Sequence, residues 1–335
     1  MKTMKLRIVL LALICAGWLT QAADTWHDAS PHRSGIVKAN GIRLHYLDWG
    51  GSGEAMVFLA GLGNTAHVFD TLAPRFTKPN GKTPAFHAIG MTRRGFGQSD
   101  RPNTGYDVPT RVADLAAFLD AMKIKKAVLV GHSLAGDELT AFASAHPERV
   151  IKLVYLDAAY DRSHIPEELV KADDALTAAI TSQYPQPPAD ATPAERGRIA
   201  DKARFGNLWN EALEAEVRER FGPPANGTLR ERPGPPFDAL IAGTGQANLD
   251  YVKLASPTLS FFAANDMLAE IPAEKRGEFQ EVARISSEYQ QSNIAVLKKN
   301  PHAQVIVFTM ANHYCWFDHG DEVVAAMRTF LAGKR

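Results

Sequence analysis

The chain has 335 residues, 45% of them hydrophobic, and its 37 basic side chains balance 37 acidic ones to a formal net charge of zero. This is the composition of a soluble globular protein, long enough for one large α/β domain with an insertion or for two ordinary domains. With no net charge and no Lys/Arg cluster interleaved with aromatics, nucleic acid is not an expected partner.

At the amino terminus, Lys2, Lys5 and Arg7 precede an apolar run over residues 8–19 and then Thr20-Gln21-Ala22. The pattern reads as a signal peptide, residues 1–22, cleaved after Ala22, so that the protein is exported to the periplasm or secreted. The run is too short to span a bilayer comfortably, and no second apolar stretch approaches ~20 residues, so no stable membrane insertion is expected after cleavage. Cleavage would leave a net charge of −3 and Cys315 as the one cysteine, excluding an intrachain disulfide. Cys315 is expected to act as a small buried hydrophobe.

Residues 23–33 read as a disordered leader. Residues 34–38 and 42–49 alternate around Ala39-Asn40-Gly41, a hairpin signal. A glycine-rich turn at 50–53 leads into a buried strand over 55–60, a helix over 66–76 and a strand over 85–90. Val112, Leu115, Ala116 and Leu119 give helical spacing to 110–122. Residues 127–130 form a strand, 134–146 a helix and 150–156 a strand, an alternation that predicts a mostly parallel central sheet covered by helices on both faces.

The alternation stops near Tyr160. Residues 161–250 carry 10 of the 20 prolines, with groups such as Gly222-Pro223-Pro224 and Pro233-Gly234-Pro235-Pro236. Residues 176–180 and 208–217 nevertheless have helix-forming faces. The segment is read as a helical cap inserted after the sixth strand, between core portions 23–160 and 251–335. Beyond it come a strand over 258–263, a long charged helix over 273–299, a strand over 305–308 and a closing helix over 322–331.

The run Ala127 to Gly136, AVLVGHSLAG, puts Ser133 where a buried strand turns sharply into a helix. Such a turn exposes the hydroxyl at the sheet edge and points backbone N–H groups and the positive helix end at its target. A serine hydroxyl is a weak nucleophile, so it needs a base and the base an orienting acid. Three further segments accompany the Gly131-His132-Ser133-Leu134-Ala135-Gly136 motif: Thr92-Arg93-Arg94-Gly95-Phe96-Gly97-Gln98-Ser99-Asp100, Asn265-Asp266 after a strand, and Asn312-His313-Tyr314 after the last strand. Together they resemble the α/β-hydrolase fold in its lidded serine esterase and lipase-like branch, over about residues 35–160 and 255–333.

The resemblance implies Ser133 as nucleophile, His313 as base and Asp266 as acid, in the chain order Ser, Asp, His. Asp157, at the end of the strand before the cap, is the main alternative acid, and Glu270 a third. His319 is expected to be solvated or capping, and His132 to pack beneath the elbow. The resemblance further implies an oxyanion hole of two backbone N–H groups, those of Leu134 and, after Ala60-Gly61, Leu62. Ala60 replaces the family's histidine there, and Ala135 its usual glycine, which predicts slightly wider helix–strand spacing.

Asn64, His67, Phe69 and Tyr160 are positions that could line the substrate pocket. Asp137 and Glu138 are expected to be solvated or paired with a basic residue such as Arg94. Tyr314, Trp316 and Phe317 are expected in the core. No sequence cluster has metal-ligand spacing, and no phosphate-binding or dinucleotide loop is present, so neither metal nor cofactor is expected. The expectation is a carboxylic ester hydrolase acting on small or lipid-like substrates. Amide, thioester or carbon–carbon cleavage on the same triad is the alternative, and a ligand-binding receptor using the capped cavity is the non-catalytic one.

Overall fold

The computed structural model describes residues 28–221, 236–245, 247 and 249–333. The predicted signal peptide lies outside the described residues. Arg33–Ala39 (β1) and Ile42–Gly50 (β2) form the hairpin, and Asn40 and Gly41 at its tip both have positive φ, 45° and 77°. That is the turn whose twist matches the strands it joins, and Asn-Gly is the pair that adopts it most readily. β2 runs antiparallel to Phe86–Met91 (β4), which pairs in parallel with Glu54–Leu59 (β3). Ala127–His132 (β5), Val150–Leu156 (β6), Thr258–Ala264 (β7) and Ala303–Thr309 (β8) extend the parallel part. The sheet order is β1-β2-β4-β3-β5-β6-β7-β8.

Successive side chains point to opposite faces, so each central strand feeds two cores. Met56, Phe58, Val128, Val130, Val154, Leu156, Leu259 and Phe261 lie on one face. Val57, Leu59, Leu129, Leu153, Tyr155 and Phe262 lie on the other. Helices Val108–Ala121 (α1) and Ala135–Ala145 (α2) cover the second face through Leu115, Phe118, Leu139 and Phe142. Between β6 and β7 the described chain holds Glu167–Thr181 (α3), Pro193–Phe205 (α4), Glu211–Phe221 (α5) and Phe237–Thr244 (α6), and no strand. Gln280–Leu297 (α7) adds Leu297 to the second core, while Cys315–Asp318 (α8) and Gly320–Ala332 (α9) close the first with Trp316, Val323, Met327 and Phe330. No helix among the described residues is long and apolar enough to cross a membrane.

Three local expectations differ. The helix expected over 66–76 is two 3-10 turns, Ala66–Phe69 and Ala73–Phe76, because Pro74 in the second turn cannot donate the hydrogen bond that continuity needs. The helix expected over 273–299 begins with the 3-10 stretch Ala273–Phe279. Of the leader expected to be disordered over 23–33, residues 23–27 lie outside the described residues, while at Asp28 the carboxylate accepts from Ser30 N–H and faces His32 before β1 starts.

Candidate active site

Strands β3, β5, β6 and β8 all deliver their carboxyl ends to one edge of the sheet, the edge where parallel α/β folds hold their ligands. At the end of β5, Ser133 has φ 53°, a left-handed conformation that a side-chain-bearing residue adopts only where its surroundings impose it. Those surroundings are tight. A Cβ on Gly131 would lie 2.9 Å from Leu139, and one on Gly136 1.9 Å from the Ala158 carbonyl oxygen. Glycine at both positions lets α2 start directly against the strand ends, and the extra methyl of Ala135 is fully buried beside them. Ser133 N–H continues the ladder by donating to Leu156 C=O at 3.2 Å, leaving its side chain half-buried at the rim.

His313 follows β8, and its Nδ1 lies 2.6 Å from Asp157 Oδ2. Asp157, also left-handed at φ 47°, is 5% exposed. Its second oxygen accepts from Tyr160 O–H at 2.7 Å and from Ala263 N–H at 3.1 Å. The carboxylate is therefore held on one side while its free edge faces the imidazole, and Nδ1–H as donor leaves Nε2 as the lone-pair nitrogen. The acid expected from the family order, Asp266, is elsewhere: it is exposed and caps the 3-10 turn Met267–Glu270 by accepting from Leu268 N–H at 3.0 Å. The partner of His313 is Asp157, and Asp266 is corrected accordingly. Glu270 accepts from Asn265 instead. His319 stacks on Phe308, with ring centroids 4.7 Å apart.

Leu62 and Leu134 present backbone N–H groups with no acceptor among the described residues. Gly61 allows their loop to approach the elbow, since a Cβ there would lie 2.8 Å from His132 Nδ1 and 3.0 Å from Ser133 Cβ. The loop is gripped from behind. Arg93 donates to Ala60 C=O at 2.8 Å, to Gly61 C=O at 3.1 Å and to Glu138 Oε1 at 2.6 Å, and Arg111 adds a bond to the same Glu138 oxygen at 2.9 Å. Arg93, Arg111 and Glu138 are all buried, so the group joins the loop after β3, the loop after β4 and α2 in a water-poor setting. Asp137 and Glu138, expected to be solvated or paired with a basic residue such as Arg94, are both paired with arginines, Glu138 with Arg93 and Arg111. Arg94 instead binds Asp114, and Asp137, its carboxyl pushed up by burial, pairs with Arg162 at 2.8 Å.

Around the elbow, Leu62 and Leu134 pack with Phe96, Tyr106 and Leu240, and Phe237 of α6 meets Phe96 edge-on at 5.7 Å. His313 also lines a cavity of about 220 Å³, together with Ile180, Gln183, Tyr184, Arg204 and Glu270 among others. Of the positions expected to line a pocket, Tyr160 supports Asp157 and Phe69 is fully buried core. Asn64 is taken up by Glu216 of α5 and by Tyr314 O–H. His67 turns away from the elbow to Asp70, 2.8 Å from its Nδ1, and to Glu219 of α5, 3.3 Å from its Nε2. Burial opposes its charge, but Asp70, Glu219 and Asp28 together push His67 up to about 9. Neither Asn64 nor His67 faces open space, because α5 supplies carboxylates that claim both.

His132, as expected, is buried beneath the elbow, 4.5 Å from the rings of both His313 and Tyr314. Its Nε2 lies 3.1 Å from His313 C=O, which ties the base loop to β5. Burial, then the nearby His313, lowers its pKa well below the ordinary 6.5. The folded state excludes the proton that the unfolded chain accepts below that value. Stability from this group is intact above pH 6.5 and falls as the pH drops. Urea unfolding at stepwise lower pH should show wild type losing up to about 1.4 kcal/mol per pH unit relative to His132→Gln. Parallel acid limbs for the two proteins would contradict this assignment.

Comparison with known proteins agrees with the fold. The family model described as alpha/beta hydrolase fold matches residues 54–276. The chain belongs to the α/β-hydrolase fold family. It is 34% identical to a non-heme chloroperoxidase of Streptomyces lividans over 154 residues, 44% of this chain and 52% of that protein. The chain thus spans about half the length of that relative. It is 25% identical to epoxide hydrolase A of Mycobacterium tuberculosis over 320 residues, 89% of this chain and 97% of that one. Among solved α/β-hydrolase structures, E-2-(acetamidomethylene)succinate hydrolase superposes with a TM-score of 0.64 at 23% identity, covering 90% of this chain and all of the other.

Proposed function

We propose that the protein is a serine hydrolase that cleaves carboxylic esters of small or lipid-like molecules through an acyl-enzyme. The observation that carries this reading is the joint geometry at one sheet edge: a left-handed Ser133 beside two unengaged N–H groups, and His313 bonded to the buried Asp157. In the proposed reaction, Ser133 Oγ attacks the ester carbonyl as its proton passes to His313 Nε2. Asp157 holds the imidazolium, while Leu62 and Leu134 N–H bind the oxyanion. The tetrahedral intermediate collapses, His313 returns the proton to the departing alcohol, and water, deprotonated by His313, releases the acid.

The relatives' names span several reactions, and serine at the elbow argues against one of them. Ring opening of epoxides in this family runs through an aspartate at the elbow, where this chain has serine. The apolar group of Leu62, Leu134, Phe96 and Leu240 suits an acyl or alkyl portion, and the polar cavity beside His313 suits the other end of a substrate. Export is proposed on the amino-terminal pattern of residues 1–22 alone.

A substrate panel tests the reaction class. The purified protein should release p-nitrophenol from p-nitrophenyl acetate and leave styrene oxide and p-nitroanilides unchanged. Diol formation from the epoxide, or peroxide-dependent halide oxidation, without ester turnover would overturn the proposal.

A further inference from the structure

Between the segment before β1 and the 3-10 turn Ala66–Phe69, four side chains converge that the proposed reaction does not use. Asp28, His32, His67 and Asp70 each offer one oxygen or nitrogen, and these atoms all lie within 4.8 Å of one another. His32 Nε2 is 2.9 Å from Asp28 Oδ2. His67 Nδ1 is 2.8 Å from Asp70 Oδ2 and 3.6 Å from Asp28 Oδ2. Four ligands at tetrahedral zinc distances stand about 3.3 Å from each other, the middle of this spread. Two imidazoles and two carboxylates are a donor set that suits zinc-class ions.

A second observation is independent of those distances. In metal sites the ligands are oriented by partners on their outward-facing atoms. Asp28 accepts from Ser30 N–H on Oδ1, which leaves Oδ2 for the centre. Asp70 Oδ1 accepts from the buried Trp49 indole N–H at 2.7 Å. His67 Nε2 faces Glu219 Oε2 at 3.3 Å, an ion-pair distance on the side away from the cluster, which leaves Nδ1 toward the centre. Among the described residues His32 has no outer partner, its buried Nδ1 being unpaired.

From this geometry we propose that Asp28, His32, His67 and Asp70 bind one zinc-class divalent ion. Four protein ligands leave no position open for substrate, so the ion is structural. It clasps the segment before β1 to the 3-10 turn that follows the oxyanion loop, and through His67 and Glu219 it braces that turn against α5. The inference stands apart from the ester hydrolysis proposed above. Sequence reading missed the site because Asp28-x3-His32 and His67-x2-Asp70 are each ordinary, and only the fold brings the pairs together.

The test uses the full purified chain, stripped with EDTA and titrated with Zn²⁺ and, separately, Co²⁺. One equivalent of Zn²⁺ should bind and raise the melting temperature, and Co²⁺ should give the intense visible bands of a tetrahedral site. His32→Ala, in a segment outside the sheet and both cores, should weaken binding about 100-fold while retaining the wild-type circular dichroism. His319→Ala, a histidine outside the cluster, should bind as wild type does. Failure of the stripped wild-type chain to bind either ion, a pale octahedral cobalt spectrum, or undiminished binding by His32→Ala would each overturn the proposal; the cluster would then be two histidine–aspartate ion pairs.

Discussion

Asp157→Asn should lower kcat for p-nitrophenyl acetate by about 10⁴-fold, while Asp266→Asn should leave it within about twofold. Asparagine fills the same space at residue 157 but has no charge with which to stabilise the imidazolium. Its amide also favours the wrong ring tautomer, presenting N–H where Ser133 needs an acceptor. The Asp157 carboxylate is 2.6 Å from Nδ1 and already receives Tyr160 O–H and Ala263 N–H, and among the described residues no other carboxylate pairs with His313. Asp266, exposed and bonded only locally to Leu268, has no route to the base. Steady-state kinetics on both variants check the pair of outcomes. The reverse ranking would return the acid's role to Asp266.

The second large effect is on stability. Glu138→Gln should cost about 3–5 kcal/mol, read as a lowered urea midpoint with unchanged slope. Arg93 and Arg111 converge on one Glu138 oxygen in a buried site, and removing the carboxylate leaves two guanidinium groups without their counter-charge. Exposed pairs such as Arg284 with Glu281 provide the contrast: their loss should be worth less than about 1 kcal/mol. Since Arg93 also holds the Ala60 and Gly61 carbonyls, Arg93→Met should reduce kcat about 100-fold with little change in KM, by displacing the Leu62 N–H. A Glu138→Gln protein as stable as wild type would mean that the buried charges are satisfied in some other way.

The sheet was legible because burial on both faces writes near-continuous apolar runs such as AVLV and LVYL, and because Asn40-Gly41 announces its own turn. The proposed nucleophile and base could be picked out for the same local reason: each sits in a short segment directly after a strand. The acid could not. Asp157 and Asp266 both follow strands, and those strands are neighbours, with Leu156 paired to Phe261. Which carboxylate meets His313 depends on register and on the left-handed turn at Asp157, neither of which has a sequence signature. Arg93 and Arg94 fail in the same way, since adjacent residues on the loop after β4 turn to Glu138 and Asp114 respectively. Partners 20 to 152 residues apart, as with Arg94 and Asp114 or Asn64 and Glu216, are properties of the fold rather than of any window of residues.

The most direct test of the central assignment is covalent capture of the nucleophile. Wild-type protein treated with a fluorophosphonate should gain one phosphonyl group, and peptide mass spectrometry should find it on Ser133. Folded His313→Ala should react far more slowly and Ser133→Ala not at all. A phosphonyl group on another residue, or a folded wild-type protein that stays unmodified, would contradict the nucleophile, base and acid assigned here.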